Sequence, residues 1–359
     1  MKNKKLLIIV AAVVLVVALV AVLLVVGGKK EYKLGMGVVV GMNESKDGLA
    51  QVDATVATVV LDDAGKIVAC RIDAVQNKAT LNADGTYTVT NLKTKMEQGN
   101  DYGMTAALNY GMDWNKDGVV KEWHDQAKAF ETYVVGMTAA QVKAMGTQEV
   151  PDKGYIISND EALLSAGCTI QITDFKAAVA KACEDAQGVT FKAKKNSFTL
   201  GVAAESTAEE SVAATATANG TVKMYADFAA SVVVDGKIVA SLNDAIQPNV
   251  TYTVAGKLVE TSFKATKREL KGDYGMAAAL NYGMDWNKDG VVKEWYEQSA
   301  VFSAHVVGMT ADQVKAMGTQ EVPDKGYIIS NDEALLSAGC TIQITAIKAV
   351  VAESVTNAR

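Results

Sequence analysis

A long stretch of this chain is written twice. Val134 to Thr173 recurs as Val306 to Thr345 at a shift of 172 residues, and only Ala140 against Asp312 differs. Upstream, Asp101 to Tyr133 matches Asp273 to His305 with nine differences, and Ala106 to Trp123 returns unchanged as Ala278 to Trp295. A period this long marks a duplicated globular domain, because solenoid units repeat every 20 to about 50 residues. Nearer the N-terminus only the pattern survives: Asp63-Ala64-Gly65-Lys66-Ile67 corresponds to Val234-Asp235-Gly236-Lys237-Ile238. Whatever fold the chain adopts must therefore be one that a single copy can build.

Each copy opens with strand signals. Val56 to Leu61 is apolar and β-branched, Asp63-Ala64-Gly65 turns the chain, and Ile67 to Ile72 follows. In the second copy Asp235-Gly236 sits between Ser231–Val234 and Lys237–Val239, a hairpin signal because both turn positions tolerate positive φ. Thr86 to Thr90 and Thr251 to Val254 add a strand each. Helical spacing comes next. Val119, Val120, Trp123, Ala127, Phe130 and Val134 fall three or four apart and line one face, which puts Trp123 in the core. A short helix is predicted after Thr138, and a longer one from Asp174 to Ala186 capped by Thr173, with Ile347 to Ser354 as its counterpart. Cys168 and Cys340 sit in matching, strand-like Cys-Thr-Ile-Gln-Ile segments and read as equivalent buried residues rather than a disulfide. The expected class is α+β: an N-terminal transmembrane helix, then two tandem copies of a small antiparallel sheet with helices. The boundaries are 1–30 for a cytoplasmic stub and anchor, 31–186 for the first copy, 187–197 for a lysine-bearing linker, and 198–359 for the second copy.

The anchor is the uninterrupted apolar run Leu6 to Val26, flanked by Lys2, Lys4 and Lys5 before it and Lys29 and Lys30 after it. About 20 apolar residues span the hydrocarbon core, whereas a cleaved signal has a shorter apolar region and a small-residue cleavage site. The run ends in Val-Leu-Leu-Val-Val, so an uncleaved anchor is expected, with the lysines on the short side holding it in the cytoplasm and the body extracytoplasmic. The net charge of −6 argues against a nucleic-acid partner. The four cysteines form no C-x-x-C pair, and there is no G-x-S-x-G, H-E-x-x-H or Walker segment. The two histidines, His124 and His305, do not occupy matching places, so no histidine-based catalytic set is repeated and a non-catalytic protein is expected.

One constellation is repeated with chemistry in it. Asp113-Trp114-Asn115-Lys116-Asp117-Gly118 recurs as Asp285 to Gly290, with oxygen-bearing side chains at positions one, three and five and glycine at six. That is the first half of an EF-hand-type calcium loop, and it resembles the short calcium loop of the excalibur family. The candidate metal ligands are Asp113, Asn115, Asp117 and Glu122, with Asp285, Asn287, Asp289 and Glu294 in the second copy. The acid stands at position ten, where the longer loop has one at twelve. The other reading is a polar turn before a helix, since Asp and Asn favour turns for their own hydrogen bonds. Tyr102, Tyr110 and Trp114, with Tyr274, Tyr282 and Trp286, are candidates for an aromatic ligand site beside that loop. Aromatics near a turn also serve packing, because each buries a large area.

The opening hairpin with its Asp-Gly-Lys-Ile turn resembles that of the FMN-binding domain family, which includes membrane-anchored surface proteins of Gram-positive bacteria. Asp101-Tyr102-Gly103-Met104 and Lys121-Glu122-Trp123-x-x-Gln126 look like segments of uncharacterised clostridial surface proteins with that fold. The resemblance covers most of each copy and implies the fold, a cell-surface location and FMN as a cofactor. The family's flavin-attachment segment, Ser/Thr-Gly-Ala-Thr, is absent from both copies. Three functions follow as expectations: a non-catalytic surface protein binding a ligand, ion or cell-envelope partner; a flavin-dependent electron-transfer protein; and a calcium-stabilised spacer.

Overall fold

The computed structural model describes residues 28–105, 113, 118–150, 154–186, 188–279, 285, 286, 288, 290–322 and 326–359. The chain is α+β, with several small antiparallel sheets. The run expected to span the membrane lies outside the described residues. Among those described, no helix is long and apolar enough to cross a bilayer.

Strands β1 (Lys30–Gly41), β2 (Leu49–Leu61), β3 (Ile67–Leu81) and β4 (Tyr87–Asn91) form a meander. After it come α1 (Lys95–Gln98), a 3₁₀ turn (Gly99–Tyr102), α2 (Trp123–Tyr133) and α3 (Ala139–Lys143). A small hairpin, β5 (Thr147–Glu149) and β6 (Ile156–Ser158), leads to α4 (Glu161–Ser165), α5 (Thr173–Asp185) and β7 (Val189–Ala193). The first sheet runs β4-β3-β2-β1-β7, antiparallel throughout. Segment 187–197, expected to be a linker, therefore contains the strand that closes this sheet. Phe191 on β7 stacks on Tyr32 at 5.6 Å between ring centroids, and Phe198 meets both rings edge-on at 5.3 and 5.1 Å. The lysines nearby hid this aromatic anchor from a reading by composition.

The second half repeats the order of elements. Its strands are β8 (Thr199–Thr207), β9 (Gly220–Lys223), β10 (Tyr225–Val234), β11 (Lys237–Ile246), β12 (Asn249–Tyr252) and β13 (Leu258–Ser262). Its helices are α6 (Lys267–Leu270), α7 (Met276–Ala279), α8 (Trp295–His305) and α9 (Ala311–Lys315). The hairpin β14 (Thr319–Val322) and β15 (Tyr327–Ser330), then α10 (Glu333–Ser337) and α11 (Thr345–Thr356), complete it. What is one long β2 and one long β3 in the first half is split here into β9–β10 and β11–β12, giving sheets β11-β10-β8 and β13-β12-β9. The β11–β12 break falls at Gln247-Pro248, and proline has no N–H for the ladder. The hairpin read from Asp235-Gly236 is present, with φ of 50° and 75° at its two turn residues.

Alternation along the strands sorts the side chains into layers. Leu34, Met36 and Val38 of β1 and Val52 and Val56 of β2 join Leu200, Val202, Phe228 and Val232 from the other half in one core. The opposite face of the first sheet, including Val59, Ile67 and Ile72, packs on Trp123, Phe130, Phe175 and Val179 of the helices. The second sheet packs the same way on Trp295, Phe302, Ile347 and Val351. The order is helices, sheet, sheet, helices, and both sheets are covered on both faces. That explains why β2 is buried along nearly its whole length rather than at alternate positions.

Two glycines set the closest approach of helix to sheet. A Cβ on Gly35 would overlap the Ala182 carbonyl oxygen of α5, and one on Gly201 would overlap the Ser354 carbonyl oxygen of α11. The glycines occupy matching registers, opposite Val59 and Ser231. Helix α2 begins at Trp123 rather than Val119, and Val119 is exposed. Cys168 and Cys340 are free and buried as expected, but their segments are irregular connections into α5 and α11 rather than strands. With a helix layer already over the sheet, those apolar residues fill the end of the layer instead of extending a ladder.

Candidate functional site

The repeated loop is closed at its base by its own hydrogen bonds. Asp113 Oδ2 accepts the Gly118 N–H at 2.7 Å, and Asp285 Oδ2 accepts the Gly290 N–H at 2.7 Å. Both glycines have φ of 78°, which permits the sharp turn. Asn115, Asp117, Asn287 and Asp289 lie outside the described residues. Glu122 and Glu294, expected as tenth-position metal ligands, each accept two backbone N–H groups. Glu122 accepts the N–H groups of Met104 and Thr105 at 3.0 and 2.9 Å, and Glu294 those of Met276 and Ala277 at 3.0 Å each. These buried carboxylates satisfy amides that would otherwise be orphaned, in the second copy those at the start of α7. Burial pushes the Glu122 carboxyl up, but the bonds from Thr105 and Met104, with His124 nearby, outweigh it and hold it below the ordinary value. Among the described residues no group of three or more His, Cys, Asp or Glu is gathered as a metal site.

The aromatic candidates divide in two. Tyr110, Trp114 and Tyr282 lie outside the described residues. Tyr102 and Tyr274 face lysines of their own chain. The Lys95 ammonium sits 4.9 Å from the Tyr102 ring centre and 5.6 Å from that of Trp123, while Lys267 is 5.1 Å from Tyr274 and 5.2 Å from Trp295. Such contacts contribute roughly 0.5–1 kcal/mol each when exposed. Tyr274 also donates its hydroxyl to Gln247 Oε1 at 3.0 Å. Trp286 packs on Val322, Ile329 and Leu336. These three rings are thus held by the fold itself.

Two grooves at the seam between the halves were not foreseen. One, about 370 Å³, lies between α5 and the α6 region and is bridged by charges. Arg268 donates to both oxygens of Asp185 at 3.0 and 2.9 Å. Lys181 reaches Glu269 at 2.7 Å and the Val38 carbonyl at 3.0 Å. The other, about 770 Å³, lies between α1 and α11, and Glu97, Glu205 and Glu353 line it. Glu205 is exposed, and its strand carries it to this groove. One signal was available: at the shift of 172, Lys181 stands against Glu353 while Glu269 stands against Glu97, a charge reversal on one side only.

Behind each groove lies a buried carboxyl. Asp73 Oδ1 accepts the N–H groups of Ala74 and Met96 at 2.7 and 3.2 Å, and Asp244 Oδ1 those of Ala245 and Arg268 at 2.8 and 3.0 Å. Each therefore pins the first turn of α1 or α6 to its sheet. Burial pushes Asp73 up to about 7 and Asp244 up to about 6, against the lowering effect of those bonds. Compared with known proteins, the chain is matched by no family model, by no curated protein and by no solved structure.

Proposed function

We propose that this chain is a non-catalytic, extracytoplasmic protein held at the membrane by Leu6 to Val26, in which two copies of one α+β domain are fused back to back to present the same surface twice. One observation carries this reading: where the two copies agree and where they do not. The strands that meet at the seam have diverged in length and sequence. The outer segment 134–173, with its copy 306–345, differs at one position. A layer that only covered a sheet would be as free to drift as α2 and α8, which differ at eight of their eleven positions. The matching stretches of the two copies also carry the same exposed apolar residues: Val119 and Val291 within the identical 106–123 and 278–295, and Val135 and Val307 after the helices. Two identical faces on one body raise the effective concentration for a repeated target without any new contact.

The test uses a photo-crosslinking residue placed at Val119, and separately at Val291, in the chain expressed on intact cells. The same adduct at both positions is expected. Different adducts, or none at either position, reject the reading. The purified full chain is expected to be colourless, and a flavin band in its visible spectrum would move the assignment to electron transfer.

A further inference from the structure

The two seam grooves occupy the same place in the two halves and differ in which group supplies the positive charge. In the smaller groove, Glu269 completes a capping box with Thr266 and turns its other oxygen to the Lys181 ammonium, 2.7 Å away. In the larger one, Glu97 keeps the same box with Thr94. The position matching Lys181 is Glu353, that matching Arg268 is Met96, and that matching Asp185 is Asn357. Both bridges are therefore lost. Among the described residues no ion pair engages Glu97, Glu205 or Glu353.

Three lysines share the groove. Lys348 is engaged with the Met317 carbonyl at 2.7 Å, and Lys93 and Lys315 line the groove without pairing to these carboxylates. Burial pushes the Glu353 carboxyl up, and Glu97 and then Glu205 push it further, while Asn357 and Lys315 oppose. Burial, Asp227 and Glu97 push Glu205 up as well. Carboxylates crowded in this way favour an incoming cation. The space, about 770 Å³ against about 370 Å³ where Lys181 and Arg268 intrude, falls in the range of small-molecule sites. Ala204 and Ala349 give the wall apolar stretches against which methylene groups can lie.

We propose that the larger groove binds an organic cation through a primary ammonium group, seated between Glu97 and Glu353 where the smaller groove holds the chain's own Lys181. The smaller groove displays the recognition directly, as an alkyl ammonium on the matching glutamate. The site occurs once per chain and stands apart from the twice-presented outer surface, so either reading can fail without the other.

The experiment is a calorimetric titration of the full chain in detergent with 1,5-diaminopentane, a lysine stem with an amine at each end. Saturable binding at one site is expected. Glu353→Lys, which recreates the Lys181 bridge, is expected to weaken it at least about tenfold and to raise the melting midpoint. Should that variant fail to fold, Glu205→Gln and Glu97→Gln serve in its place, each weakening binding by about three- to tenfold. No saturable heat with the unaltered chain, or equal affinity in the unaltered chain and in the folded glutamate variants, overturns the proposal.

Discussion

Asp73 and Asp244 are costly residues to bury, and their backbone partners explain why they are tolerated. Each oxygen that caps α1 or α6 replaces water lost on burial. Desolvation still wins, so both carboxyls hold their protons in the folded chain to higher pH than in the unfolded one, where the ordinary value is 3.8. The sign follows from linkage. The folded state binds more protons than the unfolded state between the two values, so this contribution is fully present below about pH 4 and is lost as pH rises through about 6 to 7. Melting midpoints measured from pH 4 to 8 in constant salt are expected to fall across that window. Asp73→Asn with Asp244→Asn keeps the acceptor oxygens, removes the titration and should flatten the curve. An unchanged slope in the double variant would show that other groups set it.

At the scale of elements, helices α5 and α11 are fixed to their sheets by close contact rather than by long side chains. Gly35→Ala and Gly201→Ala should each destabilise the chain by about 1–3 kcal/mol in urea unfolding, through overpacking against a carbonyl that cannot retreat. Gly28→Ala, which has open space around it, serves as the control and should change nothing measurable. Periodicity made α2 and α5 legible in the sequence, because Trp123, Phe130, Phe175 and Val179 sit at helical spacing and face a single layer. The β10–β11 hairpin was legible because Asp235 and Gly236 carry the turn in their own backbone preferences. The start of α2 was misplaced at Val119 because apolar spacing says nothing about an exposed valine on a loop, and the helix begins where the Glu122 carboxylate anchors the preceding turn. Of the candidate site, the loop acids and aromatics were visible as residue types. Their partners were not: that Glu122 faces Met104, and Tyr102 faces Lys95, is a matter of how the chain doubles back.

For the whole molecule, duplication was plain in the sequence, but not that the copies share a core. A sheet with one buried face and a sheet with two differ only in how far alternation is blurred, and β2 read as an apolar strand under either arrangement. The seam is also tied by polar contacts far apart in the chain: Gly48 N–H to the Gly256 carbonyl at 2.9 Å, Ala214 N–H to the Gly85 carbonyl at 2.9 Å, and the Tyr252 hydroxyl to the same Gly85 carbonyl at 2.8 Å. Residues 28–197 expressed alone would bare Leu34, Met36, Val52 and Val56 to water. That half is expected to run as a dimer or larger species in light scattering at micromolar concentration. A folded monomer would show that the common core is dispensable.

An ion pair between Arg359 and Glu131 joins the two halves of the chain by charge. Glu131 is almost wholly buried in the first half, and its carboxylate is met by Arg359, 2.9 Å away, and by Arg71. A residue of the second half thus neutralises a charge enclosed in the first, 228 positions away in the chain. Without that residue the first half holds a buried acid with Arg71 beside it, 3.6 Å away, and an apolar sheet face with nothing to cover it. The segment after α11 thus fastens the two halves by charge where the shared core fastens them by packing.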